Sequence, residues 1–264
     1  MKDLKNITLF TFKEIWANKT FLILFSVYNV ILIALAAFSV YAFKNAPIEV
    51  KNYSGLLQLQ TQITSSVASI FILISIFSTS SLSVSYLPKG LIDLYLSKPI
   101  SRPAFIYSRF FAVALFIFLN FVYITLFIWI FTSSLLGIWA INIFWLPLFY
   151  TFAFITILAL IFLCGILTRN STLGIILSYL ILMFQPVLAG LHSADKLFPG
   201  SPFLKGLINT LYYILPKVNE LLVTIPKTLV LGGFIESYQP FITSLLFATA
   251  AFGVSVYLFN KKDF

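Results

Sequence analysis

The chain has one cysteine, one histidine and two methionines in 264 residues, and only 9% of its residues are charged. A lone cysteine, Cys164, excludes an internal disulfide framework; set in an apolar run, it reads as a small packed residue. His192 has no Cys or His neighbour at ligand spacing, so no metal site is expected and it reads as a polar cap at a membrane boundary. With Met1 and Met183 as the only methionines, a thioether metal relay within the chain is not expected. No glycine is followed by lysine, and a phosphate-binding loop needs that pair so that backbone amides and an ammonium can hold phosphates. The nearest look-alike, Gly200-Ser-Pro-Phe-Leu-Lys-Gly, is out of register. A single histidine also excludes a His-Glu-x-x-His metalloprotease, and the serines between Ser65 and Ser85 have no general base beside them. The expectation is a chain that is not an enzyme, with no catalytic residues and no cofactor of its own.

What is abundant is apolar surface: 60% of the residues are hydrophobic and 18% aromatic. A soluble domain keeps about 25% charged residues, so this chain's solvent is expected to be lipid. The net charge of +9 does not point to nucleic acid, because the basic residues are scattered near the ends of apolar runs. That placement orients a protein in a membrane.

A helix needs about 20 apolar residues to cross a hydrocarbon core about 30 Å thick. Six segments meet that length: Phe21–Phe43, Ile63–Leu87, Ala104–Phe131, Ile141–Leu167, Thr172–Leu191 and Phe241–Phe259. The first is too long, and too far from the N-terminus, to read as a cleaved signal peptide. With the N-terminus inside, the inner cations are Lys2, Lys5, Lys13, Lys19, Lys89, Lys98, Arg102, Arg109, Arg169, Lys261 and Lys262. The outer ones are Lys44, Lys51, Lys196, Lys205, Lys217 and Lys227, so the bias places both termini in the cytoplasm. Trp129, Trp139 and Trp145 gather around the opposite turn, as an interfacial aromatic belt does.

Two further segments are expected to be helical without crossing. In residues 2–19, Leu4, Ile7, Thr11, Phe12 and Ile15 share one face and Lys2, Asn6 and Lys13 the other, with Phe10 off the pattern. That predicts a helix lying in the inner interface. Residues 192–239 stay apolar in Phe203–Leu215 and Val218–Leu231, yet are broken by Pro199, Pro202, Pro216, Pro226 and Gly232-Gly233. They predict two short helices dipping into or lying on the outer leaflet before the last span. The fold expected is all-α, a single transmembrane domain over residues 1–264. It comprises the interfacial helix (1–19), spans one to five (21–191), the outer segment (192–239) and span six (241–259).

The span interiors are expected to lack the carboxylates, histidines and lysines on which ion-coupled carriers rely; Arg109 sits about one turn into span three, within snorkelling reach of the inner face. Span two carries polar residues instead. Gln62, Ser65, Ser69, Thr79, Ser80 and Ser83 fall on roughly one face, with Ile72 and Ile76 between them. Two readings stand: interhelical packing and hydrogen bonding, or a pathway wall in which Gln62, Ser65, Ser69, Thr79 and Ser83 line a route with an apolar waist.

Between spans two and three, Gly90–Arg102 reads GLIDLYLSKPISR. Leu91–Lys98 can form two helical turns, with Asp93 and Lys98 matching the helix dipole and Pro99 stopping the helix. From the residues alone this is either an interfacial loop or a short helix offered to a partner's groove. The run LIDLYLSKPISRPAFIYSRFFA resembles the signature region of type-2 ATP-binding-cassette (ABC) transporter permeases, which read Leu-x-Leu-Leu-Leu-Ser-x-Pro-Ile-Ser-Arg before a Gly-Lys at span three. Gly90, Leu91, Asp93, Leu94, Leu96, Ser97, Pro99, Ile100, Ser101 and Arg102 fit; Ser108-Arg109 replaces Gly-Lys, and Pro103 replaces a polar residue. LYYILPKVNEL at Leu211–Leu221 and the Phe-Asn-Lys-Lys-Asp-Phe tail also agree.

The resemblance implies a permease half, paired with a second half as a homodimer in the cell membrane. Two copies of a cytoplasmic ABC ATPase would bind ATP and Mg. The segment Leu91–Lys98 would be the coupling helix seated in that ATPase, with Gly90, Leu91, Asp93, Leu94, Lys98, Pro99 and Arg102 as the coupling residues, and export would be the usual direction. No nucleic-acid partner is expected. The competing expectation is a membrane scaffold or assembly subunit that transports nothing.

Overall fold

The computed structural model describes residues 2–17, 19–45, 52–87, 101–137, 139–193, 202–235 and 237–261. Among them every regular element is helical. The order is α1 (Lys2–Ala17), α2 (Lys19–Lys44), α3 (Tyr53–Leu82), α4 (Arg102–Leu136), α5 (Leu146–Thr168), α6 (Ser171–Ser193), α7 (Pro202–Ile214), α8 (Ile225–Val230) and α9 (Gln239–Lys261). A 3₁₀ turn, Asn142–Trp145, leads into α5, and a π-helical turn, Glu220–Thr224, precedes α8.

Six of these helices are long and apolar enough to cross a membrane: α2, α3, α4, α5 (with the 3₁₀ turn before it), α6 and α9. Glu14, Leu82, Ser83, Tyr86, Phe105, Arg109, Gly165 and Phe259 meet at one end of the bundle. Contacts of Gln60 with Thr132, Asn142 with Val230, Gln185 with Asn219 and Lys217 with Ser244 mark the other. α5 is the central helix, packed against α3, α4, α6 and α9. The peripheral helices show large apolar side chains outward: Phe38 is 68% exposed, Met183 75% and Leu246 63%. In water such faces would be costly. In a bilayer they meet lipid or another subunit.

The core is a chain of rings linking four helices. Tyr28 of α2 lies 4.9 Å from Phe71 of α3, Phe71 lies 5.4 Å from Phe121 of α4, and Phe121 lies 5.5 Å from Tyr150 of α5. Elsewhere small residues bring helices close, as lipid-embedded packing favours. Ala159 of α5 meets Ala248 and Ala251 of α9. A Cβ on Gly165 would fall 2.7 Å from Ser83 Oγ and 3.2 Å from Val84 Cγ2. Gly165→Ala is therefore expected to cost about 1–3 kcal/mol of stability, partly relieved by Ser83→Ala, as thermal unfolding of the single and double variants would read.

The helix ends follow local chemistry. Asn52 caps α3 by accepting from Gly55 N at 2.7 Å, so α3 begins at Tyr53 rather than Ile63. The added turns tolerate glutamine because Gln60 Nε2 donates to Thr132 Oγ1 (2.8 Å) and Ser133 Oγ (3.2 Å) of α4. Gly137 ends α4 in the left-handed region at φ 75°, and Arg169 does the same after α5 at φ 54°. Pro186 sits inside α6 and removes one ladder donor there.

Of the face expected in residues 2–19, Thr11 and Ile15 are buried, Ile7 and Phe12 half-buried against the core, and Phe10 exposed; the side chains of Lys2, Leu4 and Asn6 lie outside the described ones. Between α6 and α9 the described residues form α7, the π turn and α8, where two short apolar helices were expected.

Candidate functional site

At the end of the bundle where α1 lies, α1, the end of α3 with the turn after it, and α4 converge on one guanidinium. Arg109, two turns into α4, is 2% exposed. Its Nη2 donates to Glu14 Oε2 of α1 at 2.6 Å and to Ser85 Oγ, in the turn after α3, at 3.2 Å. The carbonyl of Leu82 lies 3.5 Å from the same nitrogen. Ser85 Oγ in turn donates to Glu14 Oε1 at 2.9 Å, so both carboxylate oxygens are engaged. The guanidinium carbon stands 4.7 Å from the centre of the Tyr86 ring and 5.7 Å from that of Phe105. Tyr86, Phe105 and Phe259 of α9 pack ring against ring at 5.3–6.4 Å.

This arrangement corrects the placement of Arg109. It does not snorkel out of the bundle but is enclosed within it, because α1 brings a carboxylate to meet it. Glu14 was missed as its partner. The available signal was its position: seven residues after Ile7, it falls back on the same helix face. An acid on an apolar stripe calls for a buried cation.

The junction anchors both stems of the 88–100 connection. Leu87, the last described residue before it, is buried, and Ser101, whose carbonyl accepts from Phe105 N, precedes the first residue of α4. Gly90, Leu91, Asp93, Leu94, Lys98 and Pro99 lie outside the described residues. Arg102 is the first residue of α4 and is half-buried.

The polar residues of α3 divide. Ser65 is buried and shares a 2.9 Å hydrogen bond with the Tyr150 hydroxyl. Ser69 is half-buried and donates to Ser65 O at 2.8 Å. Thr79 and Ser83 are buried and donate to Ser75 O and Ser80 O, both at 2.7 Å. Gln62, seven residues before the half-buried Ser69 and on its side of the helix, is exposed; the buried glutamine is Gln60. A cavity of about 10 Å³, about one water's worth, lies beside Ser75, Ser78 and Thr79.

The opposite end of the bundle carries a second polar cluster. Lys217 has 0% exposure and its Nζ makes no hydrogen bond among the described residues. The ammonium lies over the ring of Tyr212, whose hydroxyl donates to Glu220 Oε1 at 2.9 Å. His192 stacks on Tyr212 at 4.0 Å and shares a 2.8 Å hydrogen bond with Asn209 Oδ1. Lys217 N donates to Ser244 Oγ of α9 and Asn219 N to Gln185 Oε1 of α6, each at 3.0 Å. Burial lowers the Lys217 pKa to about 8, against the opposing pull of Glu220. Burial and the hydrogen bond to Glu220 raise that of Tyr212 above its usual value.

Fold and clusters together define an all-helical bundle with six helices long and apolar enough to cross a membrane, an enclosed ion pair at one end and short helices at the other. Neither a protein-family model nor a curated protein matches the chain.

Proposed function

We propose that the chain is the transmembrane permease subunit of an ABC transporter. It pairs with a second copy and is driven by two cytoplasmic ATPase subunits that bind ATP and Mg. On this reading it resides in the cell membrane with both termini cytoplasmic, α1 lies in the inner interface, and the substrate moves outward. The observation that carries the proposal is the 90–102 segment, whose sequence resembles a coupling helix and whose two stems leave the bundle at the Arg109–Glu14 junction. A segment that transmits force needs rigid stems. Enclosed charge-assisted hydrogen bonds, about twice as strong as neutral ones, supply them. Closure of the ATPase pair would push this segment, and the junction would pass the motion to α1, α3 and α4 together.

Co-expression with a candidate ATPase tests the reading. The ATPase is expected to co-purify, and Asp93→Lys with Arg102→Glu is expected to weaken its retention about tenfold or more, the equivalent of about 1.4 kcal/mol of docking energy. If no ATPase is retained, or if the charge-reversed protein retains it equally, the chain is better read as a scaffold.

A further inference from the structure

Asn29 of α2 and Asn120 and Tyr123 of α4 meet in a laterally open groove of about 490 Å³, walled on its α1 side by Phe12 and Trp16 and on its α2 side by Phe25. The volume is within the range of about 300–1,000 Å³ seen for small-molecule sites. Its aromatic wall is held by edge-to-face contacts: Trp16 lies 6.3 Å from Phe25 and 6.1 Å from Phe116.

The polar groups are only partly satisfied by the protein. Tyr123 OH donates to Asn29 Oδ1 at 2.9 Å, and Asn29 Nδ2 donates to Phe25 O at 2.7 Å. Asn120 Nδ2 donates to Phe116 O at 2.8 Å. Each primary amide has two N–H donors and two acceptor lone pairs. Each asparagine therefore keeps one donor and at least one acceptor site for something in the groove. Asn120 lies near the middle of α4, where bulk lipid tails offer no hydrogen bond and an unmade one is costly. Among the described residues no charged side chain lines the groove.

We propose that this groove binds a neutral lipophilic molecule carrying a hydroxyl or carbonyl group, its polar group on Asn29 and Asn120 and its apolar body along Phe12, Trp16 and Phe25. The assignment of the groove to the inner leaflet, and of this molecule as the class of cargo, rests on the permease reading. The absence of a lining charge selects against fatty acids and phospholipid headgroups, whose anions would find no partner there. Aromatic walls and paired amides select for an alcohol or ketone over a plain hydrocarbon.

The test is photolabelling of the full chain in lipid nanodiscs with a diazirine-bearing long-chain alcohol, beside the matched diazirine-bearing alkane. The alcohol is expected to label the facing segments of α2 and α4 about fivefold more than the alkane, a factor that one hydrogen bond can supply. Hexadecan-1-ol should displace it, whereas hexadecanoate and hexadecane should not. Asn29→Leu with Asn120→Leu should bring alcohol labelling down to the alkane level. Equal labelling by the two probes, equal competition by hexadecanoate, or an unchanged preference in the double variant would each overturn the proposal. The comparison of probes on the unsubstituted protein stands even if that variant folds poorly. Because it uses the permease chain alone, it can fail while the ATPase is retained, or succeed while it is not.

Discussion

Removing Glu14 should destabilise the protein more than removing Arg109. The two side chains make one ion pair, but their surroundings differ: Arg109 is 2% exposed and Glu14 is 26% exposed. In Arg109→Met the carboxylate left behind can turn toward solvent, and the methionine fills much of the space against Tyr86 and Phe105. In Glu14→Ala the guanidinium stays enclosed, with Ser85 Oγ, the Leu82 carbonyl and the Tyr86 ring as its remaining company. Breaking a buried pair costs about 3–5 kcal/mol because a charge is left uncompensated. That range is expected for Glu14→Ala, with Arg109→Met at or below its lower end. The double variant Glu14→Ala/Arg109→Met should recover most of the loss, since replacing both partners removes the orphan charge. Thermal unfolding of the four proteins in detergent gives the cycle. Equal single effects that simply add would mean that the pair is not enclosed as described.

The same pair shows where reading the sequence stops short. Apolar run length is enough to find six spanning helices, because a bilayer leaves a chain few alternatives. It misplaces the start of α3: the cap at Asn52 is local, but the turns it adds hold Gln60, which is satisfied only by Thr132 and Ser133, 72 and 73 residues away. Gln62 and Gln60 illustrate the point: both are polar residues at the same end of one helix, and only contact with α4 decides which is enclosed. The face of α1 was legible from its 3.6-residue period, but its charged member was not, because Glu14 means little until Arg109 is seen across from it. The short helices between α6 and α9 were legible from prolines and apolar runs, whereas the Lys217 cluster joins residues from α6, α7, the loop after it and α9, a convergence that no local pattern encodes.

Lys217→Met should stabilise the protein at neutral pH, and the gain should vanish as the pH is raised. The Lys217 ammonium is enclosed without a hydrogen bond among the described residues, and its ordinary pKa of 10.5 falls to about 8 through burial. The unfolded chain therefore binds the proton more readily than the folded one between about pH 8 and 10.5. Stability then rises with pH across that window, because the unfolded state is the one that holds the extra proton. Below pH 8 both states are charged and the penalty is present in full; above 10.5 both are neutral and it is gone. Tyr212, raised above its usual value, stays protonated through most of the same window and keeps its bond to Glu220. An unsatisfied buried polar group costs about 1–3 kcal/mol, reduced here by the Tyr212 ring and Glu220, so a gain of about 1 kcal/mol at pH 7 is expected for Lys217→Met. The decisive measurement is the difference in unfolding temperature between the two proteins at pH 7.5 and pH 10. It should shrink toward zero at the higher pH, because a deprotonated lysine is nearly the apolar side chain that methionine supplies. A difference that holds steady across that range, or a methionine variant that is the weaker protein at pH 7.5, would mean that the ammonium is not desolvated at this end of the bundle.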